Sequence, residues 1–141
     1  MLSFTPPPVF DSEKVGTYSR RAKAGGGYVW DEVLEYRVWC SPHDGAPDED
    51  NGSDYYFVFD SYDAAREFSA QQQGAEDPLA LVLQREWIAE DEPGRYEHRT
   101  DERITEWPVE FLSRPRRGPG TLPAFFAYDA PANRLDIIRG L

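Results

Sequence analysis

Residues 54–88 change hydrophobic periodicity twice, and each change falls on a boundary signal. Asp54-Tyr55-Tyr56-Phe57-Val58-Phe59-Asp60 is an aromatic and β-branched run of strand length. Ser61 to Gly74 reads as a helix: Tyr62, Ala65 and Phe68 recur at a spacing of three, with Ala64 beside them. Asp60 or Ser61 can cap its start by accepting from free backbone N–H groups, and Asp63 complements the macrodipole in the first turn. Gly74 suits the left-handed position that ends a helix. Leu79 to Ile88 then reads as a second strand. A strand–helix–strand unit must bury a sheet face under a helix, so the chain is expected to fold as a layered α+β or α/β domain.

The flanking segments favour α+β. In residues 34–40, Tyr36, Val38 and Cys40 alternate with Glu35, Arg37 and Trp39, the pattern of a half-buried strand. Ser41 to Ser53 collects Pro, Gly, Asp and Asn and reads as a loop. Glu90 to Gly94 is a turn, residues 95–99 and 103–107 are expected as the arms of an exposed polar hairpin, and Pro108 opens a short helix through Leu112. Beyond Ser113, the prolines Pro115, Pro119, Pro123 and Pro131 predict an irregular tail with single helical turns near 123–127 and 133–139. Pro6 to Pro8 favours an extended start, and Ser19 to Gly27 holds no apolar residue larger than alanine. The expectation is a single domain of 141 residues. Residues 1–27 form an extended, flexible arm, 28–112 the α+β core and 113–141 a wrapping tail rich in Pro and Arg. The core is a mainly antiparallel sheet of four or five strands with one principal helix across one face.

Charge narrows the partners. The net charge is −11, and residues 31–113 hold 22 acids against 6 bases. Such a middle repels phosphate backbones, so no nucleic-acid partner is expected. Residues 14–30 carry Lys14, Arg20, Arg21 and Lys23 with no acid, and the tail carries five arginines against Asp129 and Asp136. No apolar run approaches the ~20 residues of a membrane span, and the N-terminus has neither a basic flank nor an apolar core of a secretory signal. With a single cysteine, Cys40, the chain is expected in a reducing cytoplasm.

The most distinctive polar segment is Arg114-Pro115-Arg116-Arg117-Gly118-Pro119-Gly120. Arginine forks grip phosphate or carboxylate bidentately and glycines let backbone N–H groups approach an anion, so Arg114, Arg116, Arg117, Gly118 and Gly120 are the candidate anion-binding residues. The same turn can dock on the protein's own acids, and both readings stay open. Lys23 to Gly27 offers a weaker version. Cys40-Ser41-Pro42-His43-Asp44 is the one place where thiol, imidazole and carboxylate lie close together, but a zinc site needs about four ligands and the only other histidine is His98. The acidic loop 48–54 fails as a calcium loop, since aligning Gly52 with the invariant glycine puts Pro47 and Val58 where carboxylates are required. Glu86, Glu106 and Glu110 lie in apolar surroundings suited to acid–base work, against the default of facing solvent. No catalytic residue, metal site or cofactor site is assigned.

Several stretches carry a family resemblance: Gly16-Thr17-Tyr18-Ser19, Gly25 to Trp30, Glu35 to Cys40, Ile104 to Leu112, Arg114 to Arg117, and Ala130 to Leu135. Over nearly its whole length the chain resembles a set of small alphaproteobacterial proteins labelled as GNAT-type acetyltransferases. That resemblance implies an acetyl-CoA pyrophosphate loop of the form [Q/R]-x-x-G-x-[G/A] between a strand and a helix. The corresponding junction reads Asp60-Ser61-Tyr62-Asp63-Ala64-Ala65, with no glycine and two carboxylates. Gly118 and Gly120 would need Gln or Arg at Pro115, and only 21 residues follow Gly120. No residue role carries over. The expected function is a non-catalytic cytoplasmic binding or adaptor module for a small anionic ligand or a protein partner; the alternatives are an acetyl-CoA-dependent N-acetyltransferase-like enzyme and another small α+β-barrel enzyme.

Overall fold

The structure, a computed structural model, describes residues 2–141. Its main sheet has five strands, β1 (Lys23–Ala24), β2 (Glu32–Cys40), β3 (Tyr55–Phe59), β4 (Leu79–Gln84) and β7 (Arg103–Pro108), and a separate hairpin has two, β5 (Trp87–Glu92) and β6 (Arg95–Arg99). The principal helix is α1 (Tyr62–Gln71); α2 (Thr121–Phe125) and α3 (Arg134–Ile138) are short helices of the tail. The fold is α+β.

In the main sheet the order is β1-β7-β4-β2-β3, with β1 parallel to β7 and every other pair antiparallel. Strands β3 and β4 flank β2 and run parallel to each other, so β3–α1–β4 is a crossover with β2 inserted between its strands, a split β-α-β unit. Ser61 caps α1 by accepting from Ala64 N–H at 3.2 Å. Helix α1 lays Ala65 and Phe68 on Tyr36, Val38, Ala80, Val82 and Trp107, which form one core with Trp30 and Val33. Gly74, at φ +79°, ends the helical segment where a Cβ would overlap the Ala46 backbone, so only glycine fits.

Two expectations about strands are corrected. Residues 79–88 are not one strand: β4 ends at Gln84 and β5 begins at Trp87, because the chain leaves β2 and β7 and takes β6 as its partner. The arms 95–99 and 103–107 are not a hairpin. β6 pairs back with β5, and β7 enters the main sheet beside β4, with Leu81 opposite Glu106 and Ala80 opposite Trp107. The Val109–Ser113 segment after Pro108 is a turn of 3₁₀ helix.

The half-buried reading of β2 is corrected too. Both faces of the strand are covered, and Glu35 and Arg37 are fully buried. The cover on the second face is the N-terminal arm: Gly16 N–H donates to Glu35 Oε1 at 2.9 Å, and the Ser19 and Arg20 carbonyls accept from the Arg37 guanidinium at 2.6 and 3.3 Å. A second core joins Val29, Ile88, Leu122, Phe125 and Ile138, so the β5–β6 hairpin and the tail form their own layer beside the sheet. Among the described residues no helix is long and apolar enough to cross a membrane.

Candidate functional site

The arginine turn lies between the two cores. Arg117 Nε donates to Asp31 Oδ1 at 2.8 Å, and its Nη1 meets Glu86 Oε2 at 2.8 Å. Arg116 donates to the Asp31 carbonyl and to Glu32. Arg114 instead lays its guanidinium over Phe111 at 4.3 Å and Trp107 at 5.3 Å. Burial and the nearby Arg139 lower the Arg114 pKa, whereas the hydrogen bond to Asp31 raises that of Arg117. The backbone of the turn is held as well, since Arg117 N–H donates to the Trp30 carbonyl and the Trp30 indole donates to the Arg114 carbonyl. Gly118 N–H donates to Thr121 Oγ1 at 2.9 Å, and Gly120 opens α2.

Asp31 is the hub that sequence reasoning missed. Only 3% of its side chain is exposed, and while Oδ1 takes Arg117, Oδ2 accepts the Arg85 backbone N–H at 2.7 Å. One aspartate among 26 acids carries no local mark of this role. From Glu86 the chain of contacts continues to His98 Nε2 at 2.6 Å, and the His98 ring stacks on Phe126. These pairs tie sheet, hairpin and tail together.

A second polar cluster lies beneath the arm. Arg37 Nε pairs with Glu35 Oε2 at 2.7 Å and its Nη1 with Glu106 Oε2 at 3.2 Å, while Trp39 Nε1 donates to the same Glu106 oxygen at 2.8 Å. The Arg37 guanidinium also lies over the Tyr56 ring at 4.5 Å. No buried side-chain nitrogen or oxygen among the described residues lacks a hydrogen-bond partner. Both Glu35 oxygens and Glu106 Oε2 are used by neighbours, which makes this cluster a structural fastening for the arm.

The remaining sequence candidates do not converge. Cys40 is buried, with burial and then Glu76 pushing its thiol pKa up, whereas His43 is exposed in a short 3₁₀ turn. Glu110 is exposed. No group of three or more His, Cys, Asp or Glu placed to hold a metal ion occurs among the described residues. The Asp60–Asp63 junction is occupied by the Ser61 cap.

An open groove of about 890 Å³ runs past Arg21, Lys23, Trp87 and Arg103, and one of about 440 Å³ lies between α1 and Glu110. A mainly apolar cleft of about 230 Å³ sits between α2 and α3. The most unusual surface is β3. It is the edge of the main sheet, it consists of Tyr55-Tyr56-Phe57-Val58-Phe59, and Phe57 is 45% exposed. Phe57 packs edge-on against Tyr55 at 5.8 Å and Phe68 at 5.0 Å, and Phe59 meets Phe68 at 5.4 Å, giving a continuous aromatic stripe along the edge. Exposed acids bracket it, with Asp48, Glu49, Asp50 and Asp54 before the strand and Asp60 and Asp63 after it. Arg20 offsets part of this charge, pairing with Asp50 at 3.5 Å.

Comparison of the chain with protein-family models, with curated protein sequences and with solved structures returns no match.

Proposed function

We propose that this chain is a non-catalytic binding module that takes an extended segment of a protein partner onto the free edge of β3. The observation that carries this reading is an uncharged, five-residue aromatic and β-branched strand left at the edge of a sheet. Edge strands of this kind invite pairing, and proteins usually blunt them with lysine, proline or a bulge. β3 has none of these. An added strand would satisfy its outward N–H and C=O groups, while side chains of alternate residues would lie on the Tyr55–Phe57–Phe68 stripe.

The charges select the partner. An antiparallel second copy centred on Phe57 would set Asp54 against Asp60, and a parallel copy in register would set each acid against itself. Self-pairing is therefore repelled, and the complementary partner is a strand with an apolar centre flanked by Lys or Arg. The buried Cys40 thiol suits a reducing cytoplasm for this activity.

Fluorescence polarisation with nine-residue peptides of alternating apolar pattern tests the reading. Peptides flanked by lysine are expected to bind, with affinity falling as salt rises, and glutamate-flanked versions to bind at least tenfold more weakly. Phe57→Lys, at an exposed position, should remove binding without changing the thermal midpoint by more than a few degrees. Equal binding of both peptide sets, or binding that survives Phe57→Lys, overturns it.

A further inference from the structure

We infer that the cleft between α2 and α3 is a binding site for a small monocarboxylate with an aryl or branched-alkyl body. It lies on the tail, and the inference stands apart from the β3 edge. The cleft has a volume of about 230 Å³, and its walls include Ala124, Phe125, Pro131, Ile137 and Ile138. An apolar cavity of roughly 150 Å³ already accommodates benzene, so this one has room for a ring or branched chain and a short acidic group.

The charged wall residue is Arg134. Its guanidinium lies over the Phe125 ring at 4.3 Å and approaches Tyr96 at 5.3 Å. A guanidinium carries five N–H donors, and here one hydrogen bond is made to protein, from Nη1 to the Phe125 carbonyl at 2.9 Å. No carboxylate of the described residues lies within 4.0 Å of it; Arg20, Arg37, Arg85, Arg95, Arg99, Arg116 and Arg117 each have one, and of the arginines without one Arg134 is the one that lines this apolar cleft. In a chain with 26 acids and 15 bases, an arginine kept from every acid beside an apolar cleft has its fork available for an incoming carboxylate. Thr121 supplies a second polar group on the wall. Its Oγ1 accepts from Gly118 N–H at 2.9 Å and keeps its own hydrogen for an acceptor oxygen. A few polar groups set into an apolar concavity is the usual composition of a small-molecule site.

The chemistry fits a monoanion better than a phosphate. The walls offer a single guanidinium, whose fork suits the two oxygens of one carboxylate, and a hydroxyl, while the rest of the surface rewards carbon. The turn Gly118–Gly120 that leads into α2 thus serves the site through Thr121, while Arg116 and Arg117 hold the turn in place against Asp31, Glu32 and Glu86.

The test is a nitrogen–proton NMR titration of the full chain with phenylacetate and 4-methylpentanoate, and with the neutral phenylacetamide. Saturable shifts are expected at the amides of Phe125, Arg134 and Ile138, with the acid binding at least tenfold more tightly than the amide. Arg134→Gln should erase that preference while phenylacetamide still shifts the same amides, which also shows that the tail remains folded. Ala124→Leu, which fills the cleft from an exposed helix position, should remove both ligands. The inference is overturned if neither acid gives saturable shifts at these residues, if the amide binds as well as the acid, or if Arg134→Gln leaves the preference intact.

Discussion

Replacing Arg37 with methionine isolates what the buried cluster under the arm contributes. Methionine keeps an unbranched chain in the space but removes the guanidinium from Glu35 at 2.7 Å and Glu106 at 3.2 Å. Glu35 is fully buried and would retain only the Gly16 N–H as a partner. Breaking a buried pair by removing one member costs about 3–5 kcal/mol, because the surviving charge is left without compensation. The Ser19 and Arg20 carbonyls lose their donor too, which puts the expected loss near the middle of that range, about 4 kcal/mol. With a slope of about 1–3 kcal/mol per molar urea, the midpoint should fall by roughly 2 M. Adding Glu35→Gln removes the orphan charge and keeps an acceptor for Gly16, so the double variant should regain about 2 kcal/mol over Arg37→Met alone. Urea unfolding of the four proteins of this cycle supplies the coupling, and hydrogen exchange at residues 16–20 reports whether the arm has loosened. A loss below about 1 kcal/mol, or strictly additive single effects, would refute the view that Arg37 fastens the arm by charge.

Four further outcomes are expected. Arg116→Ala with Arg117→Ala should cost about 3 kcal/mol in chemical denaturation by leaving the buried Asp31 carboxylate only the distant Arg85 guanidinium at 3.8 Å, and a neutral result would return the turn to solvent. Phe68→Ala should cost about 2 kcal/mol, below the range for a fully buried aromatic because Phe68 is only half-buried, and a loss under about 1 kcal/mol would contradict its packing on Phe57 and Phe59. Burial raises the phenol pKa of Tyr36, and burial with the Glu90 hydrogen bond pushes that of Tyr28 up to about 12. The folded state therefore holds these protons after the unfolded chain releases them near pH 10, so stability is full below pH 10 and falls as pH rises above it. The Tyr36 share is about 1.4 kcal/mol per pH unit, and Tyr36→Phe should flatten the profile of denaturation midpoints. Acetyl-CoA should leave the thermal midpoint unchanged, because Ser61 caps α1 and Asp60 and Asp63 repel pyrophosphate; saturable micromolar binding lost on enlarging Ala64 would reverse this.

Helix α1 and strand β3 were legible because their signals are local: a cap at Ser61, apolar positions three apart, and a strand-length aromatic run that ends at Asp60. The same local signals mislead at 79–88, where the apolar stretches Leu79–Leu83 and Trp87–Ile88 belong to strands of different sheets and only Gln84-Arg85-Glu86 lies between them. The break at Arg85-Glu86 follows from a change of partner, from β2 and β7, which lie far away in the chain, to β6, which follows directly, and the distant partners of β4 leave no mark on its own residues. Strand β7 reads as an exposed arm for a related reason. Its polar residues are satisfied at a distance, Arg103 by the Gly25 carbonyl, Thr105 by Gln84 and Glu106 by Arg37 and Trp39.

The candidate sites divide the same way. That Arg114, Arg116 and Arg117 cluster, and that Tyr55 to Phe59 carries no charge, belongs to the sequence alone. The tertiary structure decided that Asp31 meets Arg117, that the Glu35–Arg37 face lies under the arm, that Arg134 borders a cleft and that β3 is an edge. Composition and periodicity set which surfaces a segment can offer, since they act within a few residues. Which of those surfaces is covered, paired or left open depends on contacts between segments far apart in the chain, and only the closed fold brings those together.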